Sequence, residues 1–183
     1  MMVLKINYFT VLMLLIISKS LSQNKFITRN GIIEFESQIE TFEPIKAKQN
    51  SVTSVFNADT GEIAVLALVK GFRFKNALME EHFNENYVES DTYPKTTFKG
   101  KILDFDINSD KTKHVMKGTI NIHGVDKTYD SIPVDVIIDR TKIRLQGKFV
   151  APVKDFDIKI PKIVSKKIAT DINVIFELIL QKK

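Results

Sequence analysis

The side chains able to do chemistry are few and scattered. Histidine occurs three times, at 82, 114 and 123, and cysteine is absent. A histidine metal site needs convergent ligands, commonly two on one element at close spacing. These three fall on a helical stretch, at a strand start and at a strand end. Without cysteine there are no disulfides, thiol nucleophiles, zinc–thiolate sites or iron–sulfur clusters. The chain contains no Gly-x-Ser-x-Gly elbow, no phosphate-cradling glycine loop and no His-Glu-x-x-His. Asp104-x-Asp106-x-Asn108-x-Asp110 opens like a calcium loop. Its sixth position, however, is Ser109 where such loops need glycine, and its twelfth is Val115 where they need glutamate. Glu80, Glu81, Glu85 and Glu89 read as a solvated helix face. The inventory argues against an enzyme and for a protein that binds or that fills its own core.

The elements that position these residues are mostly strands. Of 183 residues, 44% are hydrophobic and 27% charged, the composition of one ordinary globular domain. A net charge of +5, dispersed along the chain, is too small to argue for nucleic acid. Lys5, the apolar run from Tyr8 to Ile17 broken only by Thr10, and the small residues Ser20 and Ser22 read as a secretory signal peptide over 1–22. The run is about half the ~20 residues that a membrane span needs. Cleavage after Ser22 removes Lys5 and Lys19 and no acid, leaving a net charge of +3 on a single domain, 23–183, that is exported to the periplasm or secreted.

Beyond the leader, apolar and polar residues alternate with the strand period. Ile143, Leu145, Gly147, Phe149 and Ala151 oppose Lys142, Arg144, Gln146 and Lys148. Similar alternation marks 132–139, 116–123, 103–108 and 172–180, and strands are expected at 31–39, 50–57 and 62–74. Turn-forming clusters at 57–61, 108–111, 124–127 and 139–142 make neighbouring strands antiparallel. Roughly eight strands with one apolar face each give a sandwich or a closed barrel. One stretch differs: Asn76 as N-cap, with Glu80 and Glu81 near the start and Met79, Phe83 and Tyr87 at four-residue spacing, predicts a helix over 77–89.

Three glycines sit on apolar faces between large side chains: Gly100 between Phe98 and Ile102, Gly118 between Met116 and Ile120, Gly147 between Leu145 and Phe149. Glycine weakens a strand, so its placement needs a cause. It either relieves crowding where strands bend or leaves room for an elongated apolar guest.

Three blocks together resemble the YceI-like family of bacterial lipid-binding proteins. The first runs through Gly71-Phe72-Arg73-Phe74, Leu78-Met79-Glu80-Glu81-His82-Phe83-Asn84-Glu85-Asn86-Tyr87, Glu89-Ser90-Asp91-Thr92-Tyr93-Pro94 and Phe98-Lys99-Gly100. The second is Gly118-Thr119-Ile120-Asn121-Ile122-His123-Gly124-Val125. The third is Asp155-Phe156-Asp157-Ile158-Lys159-Ile160-Pro161 with Lys167-Ile168-Ala169. The resemblance spans residues 25–182. It implies an all-β fold: an extended eight-stranded antiparallel lipocalin-like β-barrel with one short helical insertion beside it. It also implies a tunnel for a polyisoprenoid or isoprenoid-quinone-like lipid, and it supplies no catalytic residue, metal site or further cofactor. With an apolar lipid as partner go transient membrane contact and a homodimer. The tunnel wall expected from the alternation comprises Phe35, Phe56, Val65, Phe98, Ile102, Phe105, Met116, Ile120, Ile122, Val136, Leu145, Phe149, Val174 and Phe176, with Gly100, Gly118 and Gly147 between them. For each of these, plain core packing is the alternative.

Overall fold

Residues 24–39, 44–139, 141–162 and 168–183 are described by a computed structural model; the expected leader, 1–22, lies outside them. Nine strands run in chain order: β1 Lys25–Ser37, β2 Ile45–Asn57, β3 Glu62–Leu68, β4 Arg73–Phe74, β5 Lys95–Ile102, β6 Lys113–Ile122, β7 Val125–Asp139, β8 Lys142–Pro152 and β9 Asp171–Lys182. Eight of them close a barrel in the order β1-β9-β8-β7-β6-β5-β3-β2, with β2 returning to β1. Every pairing is antiparallel; the two-residue β4 lies on β2, with Ala47 opposite Phe74. Closure removes the free edges that an open sheet would leave unpaired.

The local sequence explains most of these elements and two departures from the expected ones. The β6–β7 turn is His123–Gly124, both with positive φ (52° and 75°), which is the backbone that a two-residue hairpin requires. It falls one residue before the expected cluster at 124–127. The alternating stretch 103–107 is not a strand. Asp104 has φ 52°, Asp106 Oδ1 accepts from the Asn108 N–H at 2.9 Å, and Ser109 Oγ accepts from the Lys111 N–H at 3.2 Å. Side-chain-to-backbone bonds of this kind outcompete the strand ladder locally.

The β3–β5 connection carries α1, Ala77–His82, which continues as a π turn over Phe83–Tyr87. Asn76 caps it as expected: Oδ1 accepts from the N–H groups of Leu78 at 2.9 Å and Met79 at 3.3 Å. Glu80 ties the helix to β4, pairing with Arg73 at 2.6 Å and accepting from the Phe74 N–H at 3.1 Å.

Along its axis the barrel is packed at one end only. Val52, Phe56, Ile102, Ile143, Leu145 and Leu180 are fully buried there. Each large side chain of this kind stabilises the fold by ~1.5–3 kcal/mol relative to exposure. The other end, toward α1 and the 153–158 turn, is hollow.

Candidate functional site: an apolar hollow in half a barrel

The hollow begins where two phenylalanine rings cross the barrel. Gly100 lies opposite Gly118 on β5 and β6, and Gly147 opposite Phe176 on β8 and β9. A Cβ on Gly118 would stand 2.5 Å from Phe98 Cζ, and one on Gly147 2.6 Å from Phe176 Cζ. Gly100 lies under the same Phe98 ring. The three glycines therefore let Phe98 and Phe176 lie flat across neighbouring strands. The missing side chains are replaced by rings of this same chain and leave no vacant space at the glycines.

Above these rings is a hollow of about 200 Å³. Its wall is nearly all aliphatic and aromatic: Ile33 and Phe35 from β1, Val65 from β3, Met116, Ile120 and Ile122 from β6, Phe149 from β8, Val174 from β9. Of the polar side chains on it, Thr96, Thr97 and His123, two have hydrogen-bond partners in the protein. Thr96 Oγ1 donates to the Asn121 carbonyl at 2.6 Å. His123 sits with Nδ1 3.1 Å from the Phe156 carbonyl, Nε2 2.8 Å from Glu89 Oε2, and its ring centroid 4.4 Å from that of Tyr93. Those contacts join the β6–β7 turn, the loop after α1 and the 153–156 turn at one corner of the hollow.

Next to this inner hollow lies an outer one of about 440 Å³, between α1, the end of β1 and Ile158, Ile160, Ile168 and Ile172. Leu78, Met79, Ile45, Ile160 and Ile168 line it, with Ser37, Asn76 and His82 as polar neighbours. Ser37 Oγ accepts from the Ala169 N–H at 2.8 Å, fixing the segment after the barrel's last turn to β1. Leu78 and Met79 are 59% and 39% exposed, so this end opens to solvent through apolar side chains.

The residues expected to form a tunnel wall divide into three groups. Phe35, Val65, Phe98, Met116, Ile120, Ile122, Phe149, Val174 and Phe176 face the inner hollow. Phe56, Ile102, Val136 and Leu145 are placed in the packed end, because the alternation marks inward residues but not how far along the axis the packing extends. Phe105 comes from the 103–112 loop and closes that end, edge-on to Phe56 at 4.9 Å. Gly100, Gly118 and Gly147 are the seats of the two rings. Missed altogether were Phe72, Phe83, Val88, Val153, Phe156 and Ile158, which reach the inner hollow from turns and the helical insertion. Phe83 carried helical spacing, and Phe72, Phe83, Phe156 and Ile158 lay in the blocks that carry the resemblance, but strand alternation marked none of them as wall.

One titratable group stands close to this architecture. Burial raises the Tyr129 phenol above its usual range, the negative charge of Asp155 adding to the shift. Its ring packs on Phe149 at 5.4 Å and its buried hydroxyl has no partner. Among the described residues no group of three or more carboxylates and histidines is placed to hold a metal ion.

The family model of the YceI-like domain matches residues 20–180 of this chain. No curated protein matches. Among solved structures, a polyisoprenoid-binding domain from Saccharophagus degradans, implicated in plant cell wall breakdown, superposes with a TM-score of 0.73 at 15% identity, over 88% of this chain and 99% of that one. BcnA of Burkholderia cenocepacia gives 0.69 at 17% identity, over 81% and 95%. The YCEI protein of Campylobacter jejuni gives 0.65 at 19% identity, over 80% and 90%. At such identities these likenesses carry the fold alone.

Proposed function

The chain belongs to the YceI-like family, and from that premise we propose that it is an exported, non-catalytic carrier or store of a single-chain lipid. The lipid is a polyisoprenoid or an isoprenoid-quinone-like molecule, lying in the hollow half of the barrel. The observation that carries this reading is the hollow itself. Left empty, an apolar hollow of about 200 Å³ deprives its lining of the dispersion contacts that a filling chain would supply. A chain lying in it gains ~0.8 kcal/mol per buried methylene, less the cost of immobilising it. The competing reading, an interaction protein with a filled core, leaves the hollow unaccounted for.

Other features support the remaining parts. The wall's Thr96 and His123 spend their hydrogen bonds on the protein, which favours holding over turnover. The Saccharophagus relative is described as polyisoprenoid-binding. Export rests on the leader pattern of residues 1–22, of which residues 1–19 lie outside the family match. A ligand so sparingly soluble passes to and from the protein through transient contact with a membrane.

The test is organic extraction and mass spectrometry of the protein purified from its native host. The proposal expects a prenyl-type lipid in stoichiometric amount. An extract without lipid, from protein that also fails to take up added polyprenyl lipid, overturns it. Turnover of the added lipid would replace the carrier with an enzyme.

A further inference from the structure

The inner and outer hollows meet at Phe83, and we propose that this side chain is the partition that sets how long a chain the protein accommodates. The inference rests on the lipid-binding reading above. Six residues line both hollows: Phe35, Phe83, Val88, Val153, Ile158 and Ile172. Phe35 belongs to β1, paired on one side with Ala47 and on the other with Val174, so its backbone is fixed and only its ring could turn. Ile172 is held on one side, opposite Ala151 on β8. Val88, Val153 and Ile158 reach the boundary with short aliphatic side chains.

Phe83 differs in both reach and support. It opens the π turn of the insertion, and neither α1 nor the π turn contains a fully buried residue. The insertion is held to the barrel by a few bonds, chiefly Glu80 to Arg73 and to the Phe74 N–H, and at its far end Glu89 to His123 at 2.8 Å. It can shift without breaking the barrel's ladder. The Phe83 ring is seated among three others, 5.3 Å from Phe35, 6.0 Å from Phe72 and 5.1 Å from Phe74.

A chain short enough for the inner hollow lies behind this ring and leaves it in place. A longer chain extends into the outer hollow only by turning the ring out of its three-ring seat. Its polar end then comes to rest by Asn76 and His82, since the inner wall offers almost no polar surface. The ligand class is thus a linear lipid with one polar end, inserted tail first, and Phe83 penalises the longer members. Pulling the ring away from one aromatic neighbour weakens binding by a factor of ~2–10, so leaving all three corresponds to a factor of ~10–1000, of which contacts between the displaced ring and the lipid recover a part.

The experiment measures dissociation constants for linear prenyl alcohols of increasing length, with wild type and Phe83→Ala side by side. Thermal melts confirm that both are folded. Phe83→Leu, which keeps apolar volume on the insertion, takes the place of the alanine variant if that one does not fold. The expected result is a length beyond which wild-type affinity stops rising. Past that length the variant binds ~10–100-fold more tightly, while short chains change by less than ~3-fold. The same dependence on length in wild type and folded variant overturns the partition and leaves the lipid-binding reading standing. Failure of the wild type to bind any prenyl alcohol overturns that reading and the partition with it.

Discussion

Replacing Gly118 by alanine adds one methyl group at a point that three neighbours already occupy. Its Cβ would stand 2.5 Å from the Lys99 carbonyl oxygen, 2.5 Å from Phe98 Cζ and 2.6 Å from the Gly100 Cα. Attractive contact between such atoms lies near 3.5–4.0 Å. The Phe98 ring can retreat into the hollow, but Lys99 and Gly100 are backbone of the paired strand. Relieving them means opening the β5–β6 ladder at Gly100–Gly118. Overpacking of this kind costs ~1–3 kcal/mol. At ~2–4 °C per kcal/mol for a domain of this size, the lipid-free protein should melt ~2–12 °C lower. A retreating ring also narrows the hollow, so lipid capacity should fall with stability. The assay is thermal and urea unfolding of lipid-free Gly118→Ala, Phe98→Ala and the double variant. Because the double variant lacks the ring, the two changes should be non-additive by at least ~0.5 kcal/mol. Unchanged or increased stability of Gly118→Ala would mean open space above the glycine, and would refute the account of Phe98 as a ring seated on it.

Three further outcomes follow from single groups. Tyr129→Phe removes a buried hydroxyl that has no partner, so stability at neutral pH should hold or rise by about 1 kcal/mol; because the folded phenol pKa is raised, wild type should lose more stability than the variant as pH climbs past the ordinary tyrosine range, the remainder in the variant coming from groups such as Tyr87, whose phenol burial also raises, as pH-dependent melts would show. Asn76→Ala should cost α1 ~1 kcal/mol, seen as faster amide exchange over 77–87 with little change in global melting, since the helix buries no residue fully; unchanged exchange would count against the cap. The backbone and side-chain N–H groups of Asn24 hold the Asp59 carboxyl below its ordinary range, so its contribution is present at neutral pH and lost as pH falls through the lowered value, and Asp59→Asn should flatten that part of the acid melting profile.

How much could be read from the sequence varied by element, for physical reasons. β8 was legible almost residue for residue, because Lys142–Pro152 keeps one apolar face along its length. The helix start was legible from Asn76, whose side chain can only help where first-turn amides need an acceptor. β1 was found only from residue 31 onward. Its pairing shifts between Thr28 and Gly31 and again between Gly31 and Ile33, and a shift in register breaks the alternation on which the reading depends. The 103–107 stretch misled because alternating apolar residues also suit a loop that packs Phe105 and Ile107 against the core. For the site, alternation identified which side chains point inward. It could not say that Phe56 and Leu145 meet in a packed end while Phe149 and Val174 face a hollow. Nor could it reveal that Phe83 and Phe156, far from any strand pattern, complete the wall.

If a lipid chain lies in the hollow half of the barrel, Ala151 gives the most direct access to it. This residue is 5% exposed, lines the inner hollow and belongs to β8. The decisive measurement is a titration of lipid-free protein with a polyprenyl lipid, comparing wild type with Ala151→Phe. The expected result is saturable binding by wild type and binding at least ~10-fold weaker by a variant that is folded and no less stable, because its added ring occupies the ligand's space. Equal affinities, or a variant destabilised by the ~1–3 kcal/mol expected of an overfilled core, would contradict a lipid-holding hollow.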